Sequence, residues 1–528
     1  MKLSDIETGA LNAQEWADKG YELPKFDLKA VRAKTHDQPT WIHFGAGNIF
    51  RAFPAALLQR VLDAGEYDRG VIVAEGFDYE IIDKAYRPYD NLSLSVLLKS
   101  DGSIEKRVVA SVTESLKADP QFHEDWERLE EIFKNPSLQM VSFTITEKGY
   151  SISPADLERG AEPQLIMGKV TALLYQRYQA GELPITVQSM DNCSHNGDKL
   201  YAAVSAFASA WQDNGLIEDG FVSYVNDRTK TAFPWTMIDK ITPRPDDTVK
   251  AMLEQDGISD LAACVTGKKT YVAPFVNAEE CQYLVIEDAF PNGKLPLDEA
   301  GILYTDRETV DKVEKMKVCT CLNPLHTTLA IYGCLLGYQL ISEEMKNPLL
   351  KKFVEIVGYT EGLPVVVNPG VLDPKQFIDE VVQKRIPNPF MPDTPQRIAT
   401  DTSQKLPIRF GETIKAYDKD PSLSVSSLKM IPLVFAGWLR YLMAVDDNGT
   451  AFEPSPDPLL STLRPIFASC RLGDMPQDLS FLDALLSNES IWGVDLFAVG
   501  LADLVKDYFK ELTAGPGAVN ATLEKYLG

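Results

Sequence analysis

Lys317, Asn323 and His326 fall within one short run, MKVCTCLNPLHTTLA. An amine, a carboxamide and an imidazole in an apolar setting can deprotonate an alcohol and hold the alkoxide that forms. A lysine serves as a base near neutral pH only where desolvation or neighbouring positive charge lowers its pKa, and the apolar flanks here permit that. Asn323 before Pro324 also suits a helix N-cap followed by proline at the first helical position. Pro324 argues against one unbroken helix from Val313 to Tyr338, on which Lys317 and His326 would point to opposite faces. Across a break the two can converge, and Asn323 and His326, three apart, share a face.

Other chemistry-bearing residues stand at the ends of expected strands. Trp41–Phe44 reads as a buried strand running into Gly45-Ala46-Gly47-Asn48, and a helical stretch follows. Glycines there let a backbone approach a pyrophosphate at a helix N-terminus, although Phe50 replaces the third glycine of the usual fingerprint. Arg51 is placed to meet a phosphate. Glu75, or failing it Asp78, ends the next strand and could bind a ribose, favouring NAD over NADP because a carboxylate repels a 2′-phosphate. Glu147 in TITEKGY, Asn192 in SMDNCSHNGD and Asp239 in FPWTMIDKI follow or end further strands. Each has an ordinary structural reading: a solvated acid, an Asx turn, a carboxylate paired inside the fold.

The elements that must carry these residues divide the chain. Apolar strands at 70–74, 92–98, 108–112, 140–145 and 185–188 alternate with helical stretches at 124–133 and 169–179, which indicates a parallel sheet covered on both faces. A β-rich patch from Thr270 to Glu287 closes that part. Beyond about Leu297 helical periods dominate, separated by loops rich in Pro and Gly. The expected fold class is α/β: a Rossmann-type dinucleotide-binding domain over residues 1–292, then a mostly α-helical domain over 293–528.

Composition narrows the partners. The chain has 528 residues, with 52 Lys and Arg against 76 Asp and Glu, a net charge of −24. Such a surface repels phosphate backbones and anionic lipid, so neither nucleic acid nor a membrane is expected. The N-terminus lacks the basic start and apolar run of a signal peptide, and seven scattered cysteines suit reduced thiols, hence a cytoplasmic protein. Cys319 with Cys321, and Cys193 with His195, are too close for the usual structural zinc spacing, so no metal is expected.

Together these segments resemble the polyol-specific long-chain dehydrogenases, the mannitol dehydrogenase family, which includes hexuronate reductases acting on fructuronate and tagaturonate. The resemblance runs from Phe44 to about Tyr417 through GAGNIFRA, TITEKGY, DNxxHNGD, FPxxMIDKITP, the IED near 286–288, the Lys-Asn-His run and RIPNPFMPDTPQRIATDTSQKLP. It implies Lys317 as general base, Asn192 and Asn323 as oxyanion donors and His326 as the orienting histidine. It further implies Asp239, Arg385, Asn388 and Lys405 as substrate contacts, Glu147 and Glu314 along a proton path, and no metal. Many members have one residue fewer between the lysine and the asparagine, so a bulge must be accommodated, and Pro324 stands where glycine is frequent. The basic stretch Arg385, Arg397, Lys405 and Arg409 suits a sugar-acid carboxylate, and the resemblance, with segments such as LNPLHTTLA, favours D-mannonate/D-fructuronate over mannitol/fructose, with altronate/tagaturonate a further alternative. A dinucleotide-binding sensor without turnover is the competing class. The assembly expected is a monomer or a small homo-oligomer.

Overall fold

The computed structural model describes residues 1–8, 13–158 and 163–528, and the chain forms two compact units. The first comprises residues 1–99 and 103–311, the second residues 312–528 with 100–102. The division falls about twenty residues beyond the expected 292, because the strand Leu303–Thr305 still pairs with Tyr283–Glu287.

Six parallel strands make the central sheet of the first unit. In spatial order they are Val112–Lys117, Val71–Glu75, Trp41–Phe44, Met140–Phe143, Ile185–Ser189 and Thr231–Ala232. Numbered along the chain this is the order 3-2-1-4-5-6 of a doubly wound dinucleotide-binding sheet, whose switch point lies between Trp41–Phe44 and Met140–Phe143. Ile42, Ile72, Val141 and Val187 are fully buried, as expected where helices cover both faces. Phe50 occupies the third-glycine position because its ring stacks on His43, centroids 4.3 Å apart.

Two expected strands lie elsewhere. Ser93–Leu98 pairs antiparallel with Ile104–Val109 and parallel with Phe275–Glu279, in a separate four-stranded sheet. The apolar run 108–112 is not one strand: Val109 ends one sheet's strand and Val112 begins another's. An unbroken apolar run carries no mark of where a chain changes sheet. The β-rich patch after Thr270 likewise divides, Phe275–Glu279 joining the four-stranded sheet and Tyr283–Glu287 pairing antiparallel with Thr236–Asp239.

The second unit is helical. Its two most buried helices, Asn323–Leu336 and Met430–Tyr441, pack together, with the Tyr332 hydroxyl donating to the Leu433 carbonyl at 2.7 Å. Gly437 lets them approach, since a Cβ there would stand 2.5 Å from the Tyr332 ring. Glu361 caps Met430–Tyr441 by accepting the amides of Lys429, Met430 and Ile431 at 2.6–2.8 Å. Among the described residues no helix is long and apolar enough to cross a membrane.

Candidate active site

At the switch point of the sheet Gly45 has φ +109°, and a Cβ there would lie 2.2 Å from the Thr144 carbonyl oxygen. Only glycine fits. Gly47 differs: it has ordinary extended backbone, and a Cβ built on it meets nothing within 4 Å. It begins the helix Asn48–Ala52, whose first amides have no intrahelical partner. A phosphate-bearing ligand can therefore approach the backbone at Gly47.

Two neighbours depart from their expected roles. Arg51 is fully buried; its Nη1 donates to the Ala273 carbonyl at 2.7 Å and its Nη2 to Asn48 Oδ1 at 2.9 Å. Three residues along the helix from Asn48, it points into the fold and braces the turn instead of meeting a phosphate. Glu75 is also buried, and its carboxylate accepts the amides of Ala46 (2.8 Å), Phe77 (2.8 Å) and Asp78 (3.1 Å). The Ala46 amide is thereby spent on Glu75. Burial holds the Glu75 carboxyl above its ordinary range, against the pull of those amides. Asp78, the second choice, accepts from the Thr266 hydroxyl at 2.6 Å.

A cleft of about 320 Å³ opens beyond the ends of Met140–Phe143 and Ile185–Ser189, lined among others by Thr146, Glu147, Asp191, Asn192, Ile238 and Lys240. Asn192 is exposed in its wall. The turn beneath it hangs on Asp191, whose carboxylate accepts the amides of Ile145 (3.1 Å) and Thr146 (2.8 Å) and the Tyr150 hydroxyl. Thr146 has φ +64°, a strained value for a β-branched residue, and this carboxylate holds it there. Asn196 fixes the other side of the turn: it donates to the carbonyls of Asp191 and Thr236, both at 3.0 Å, and accepts the Thr236 amide. Tyr150, Asp191 and Asn196 were not singled out in the sequence, where the available signal was only their place beside Asn192 in DNCSHN and at the end of TITEKGY.

Glu147 is exposed and ion-paired with Lys199. Asp239 is buried at the end of its strand, and its neighbours Ile238 and Lys240 line the cleft. His195 begins the helix Asn196–Asp213, stacks on Trp235 at 4.1 Å and lies 3.3 Å from Asp311.

In the second unit Lys317 is buried, 3% exposed, and opens a π-helical turn over Lys317–Cys321. The turn follows the helix Arg307–Met316, which carries Glu314, and precedes Asn323–Leu336. A π turn absorbs one extra residue, so it supplies the bulge that the resemblance implied. On ideal geometry the nine positions from Lys317 to His326 then count as eight, about 80° around the axis instead of about 180°. Asn323 is not the N-cap: Leu322 holds that position with φ −130°, and no side chain caps the helix. The Asn323 carboxamide is thus not consumed by its own helix. The Asn323 backbone carbonyl accepts from Arg409 Nη1 at 3.4 Å, and the same nitrogen bonds the Thr327 hydroxyl at 2.5 Å.

Arg385 and Asn388 are buried, and Asn388 Oδ1 accepts the Phe390 amide at 3.0 Å. Lys405 donates to the carbonyls of Ile398 and Thr400. Burial, with Arg409 and Arg397 adding to it, pushes its amine down to about 8. Burial also pushes the Arg409 guanidinium down to about 10. Arg397, mostly exposed, pairs with Asp393.

The Mannitol dehydrogenase Rossmann domain matches residues 39–299, and the Mannitol dehydrogenase C-terminal domain matches residues 309–513. The chain belongs to the mannitol dehydrogenase family. It is 53% identical over 526 residues to the D-mannonate oxidoreductase of Thermotoga maritima, covering 97% of both chains. Among solved structures it is similar to the Pseudomonas fluorescens mannitol 2-dehydrogenase ternary complex with NAD and D-mannitol, with TM-score 0.68 and 25% identity, covering 100% of this chain and 99% of that one. A substrate-free D-sorbitol dehydrogenase shares the fold, with TM-score 0.76 and 23% identity, covering 98% of this chain and 99% of the other. This member of the family is an oxidoreductase of the dehydrogenase type, built on a dinucleotide-binding domain followed by a helical one.

Proposed function

We propose that the enzyme interconverts D-mannonate and D-fructuronate with NAD as cofactor, using Lys317 as general base and no metal. The observation that carries this reading is the 53% identity to a D-mannonate oxidoreductase along 97% of the chain. The dinucleotide fits the residues present, since Gly47 leaves open space above a turn braced by Glu75 and Arg51. Gly45, Ala46, Gly47 and Asn48 would shape its phosphate turn, and NAD is the cofactor in the similar mannitol 2-dehydrogenase complex. When bound, the nicotinamide takes the hydride in oxidation and returns it in reduction.

The chain's own residues do the rest. In oxidation the hydroxyl proton of the substrate passes to the neutral Nζ of Lys317, and the carbon–oxygen bond becomes a carbonyl. The carboxamides of Asn192 and Asn323 donate to the oxygen as negative charge develops on it. His326 orients the substrate. Arg385, Asn388 and Lys405 bind its far end, where cations suit a carboxylate, and Asp239 binds a hydroxyl. Glu147 and Glu314 carry the proton onward.

The test is a panel of fructuronate, tagaturonate and fructose with NADH and with NADPH. Fructuronate with NADH is expected to show the highest kcat/KM. Fructose reduced faster than fructuronate reverses the substrate choice toward mannitol 2-dehydrogenase, the reading favoured by the likeness to the mannitol complex. Lys317→Met should lose turnover by roughly 10²–10⁴-fold while still binding NADH. A strong chelator should leave the rate unchanged. A wild-type chain that binds NADH but turns over no member of the panel is a sensor instead.

A further inference from the structure

A second cavity of the first unit lies outside this machinery. The strand Ile104–Val109 sets Arg107 opposite both Ser95 and Glu22, and side-chain alternation puts Glu22, Ser95, Leu97, Glu105 and Arg107 on one face. Ala52, Ala56 and Arg60, spaced four apart, come down on that face and enclose about 110 Å³ with it. Ala52 packs with Leu97, Val276 and Ala278 as an apolar floor.

The charges within are unevenly satisfied. Arg107 Nε donates to Glu22 at 2.7 Å, and Glu105 is paired with Lys99. Lys106 turns to the opposite face, where it bonds Asp256 at 2.7 Å. The Arg60 guanidinium makes no hydrogen bond or ion pair with any described residue. It is pushed below its ordinary range by burial and by the neighbouring Arg107. Arg60 stands in the last turn of the helix Pro54–Asp63, whose dipole favours a cation there but takes up none of its donors. The Gln282 carbonyl accepts from Lys240 at 2.9 Å, so its amide group is left to donate, and the Ser95 hydroxyl borders the same space.

We propose that this cavity binds a small tetrahedral oxyanion, inorganic phosphate being the probe of choice, between Arg60 and Arg107 with Ser95 and Gln282 as further donors. Arg107 is already answered by Glu22, so the unmatched charge in the cavity is that of Arg60, and bidentate oxyanion pairing suits arginine. Glu280 also lines the cavity, and Glu22 and Glu105 are each neutralised by their own cation. The volume is well under the roughly 300–1,000 Å³ of pockets that hold organic ligands, so a nucleotide does not fit. The assignment is independent of which sugar acid or polyol the enzyme oxidises.

The test is phosphate binding to the full chain, by thermal shift and calorimetry, at constant ionic strength and with NADH in excess to fill other phosphate subsites. Saturable binding is expected, with sulfate competing. Arg60→Gln should weaken it roughly tenfold or more without lowering the melting temperature measured in the absence of phosphate. Arg60→Lys, the milder change, should retain part of the affinity. Equal phosphate affinity in wild type and Arg60→Gln, or no saturable binding, overturns the assignment. Acetate binding more tightly than phosphate overturns its tetrahedral character.

Discussion

The Tyr150 hydroxyl lies 2.5 Å from Oδ2 of Asp191 and 2.6 Å from the Ser189 hydroxyl. Burial raises the phenol far above its ordinary range, so it remains the proton donor to that carboxylate. Because Asp191 also carries the amides of Ile145 and Thr146, one carboxylate ties the turn bearing Asn192 to the turn bearing Glu147. Tyr150→Phe removes a buried bond to a charged group and should cost about 1.5–3 kcal/mol in denaturant unfolding. With Asn192 less well held, kcat should fall roughly 10–100-fold with little change in NADH affinity. An unchanged kcat would show that Asn192 is positioned by other contacts.

The two glycines of the phosphate turn should respond differently. Gly45→Ala drives a Cβ into the Thr144 carbonyl at a left-handed φ, and a loss of about 2–4 kcal/mol is expected. Gly47→Ala meets open space at an ordinary φ, so stability should stay within about 0.5 kcal/mol. Its NADH affinity should nevertheless drop, measured by fluorescence titration. Full NADH affinity in Gly47→Ala would move the dinucleotide away from this turn.

Lys405 should give the reaction a pH limb. Its amine, pushed down to about 8 chiefly by burial, is charged below that pH and discharges as pH rises through it. The KM for an anionic sugar acid should therefore climb above about pH 8, and Lys405→Met should be weak throughout and lack the limb. A KM flat from pH 7 to 9 in wild type would remove Lys405 from carboxylate binding.

His43 should dominate part of the acid sensitivity. Burial pushes its imidazole down to about 3, between the Ser142 and Thr144 hydroxyls at 2.7 and 2.8 Å. The unfolded chain takes up this proton below about 6.5 while the folded chain resists until about 3. Its contribution is thus fully present above pH 6.5 and is lost as pH falls toward 3, amounting to a few kcal/mol. In urea unfolding across that window, His43→Asn should show a slope smaller by about one proton. Identical slopes would mean that the imidazole is not the group being titrated.

Several features were legible in the residues alone. The strand Trp41–Phe44 followed by Gly45-Ala46-Gly47 carried its own periodicity and turn chemistry, and the helical texture past Leu297 did likewise. Pro324 announced a break, whereas the bulge between Lys317 and Asn323 was implied by the family resemblance and not by these residues themselves. These signals are local, since backbone conformation over a few residues follows from the types of those residues.

What the tertiary structure alone decided were the partners of buried polar groups. Nothing near Glu75 in the chain says that its carboxylate meets the Ala46 amide, 29 residues away. Nor does GAGNIFRA reveal that Arg51 turns inward to a carbonyl 222 residues distant. The bulge after Met316 became a π turn, with Leu322 and not Asn323 at the helix start, only once the surrounding helices were packed. A carboxylate or guanidinium removed from water must find its bonds wherever the folded chain supplies them, and that supply is a property of three-dimensional packing, not of local residue order.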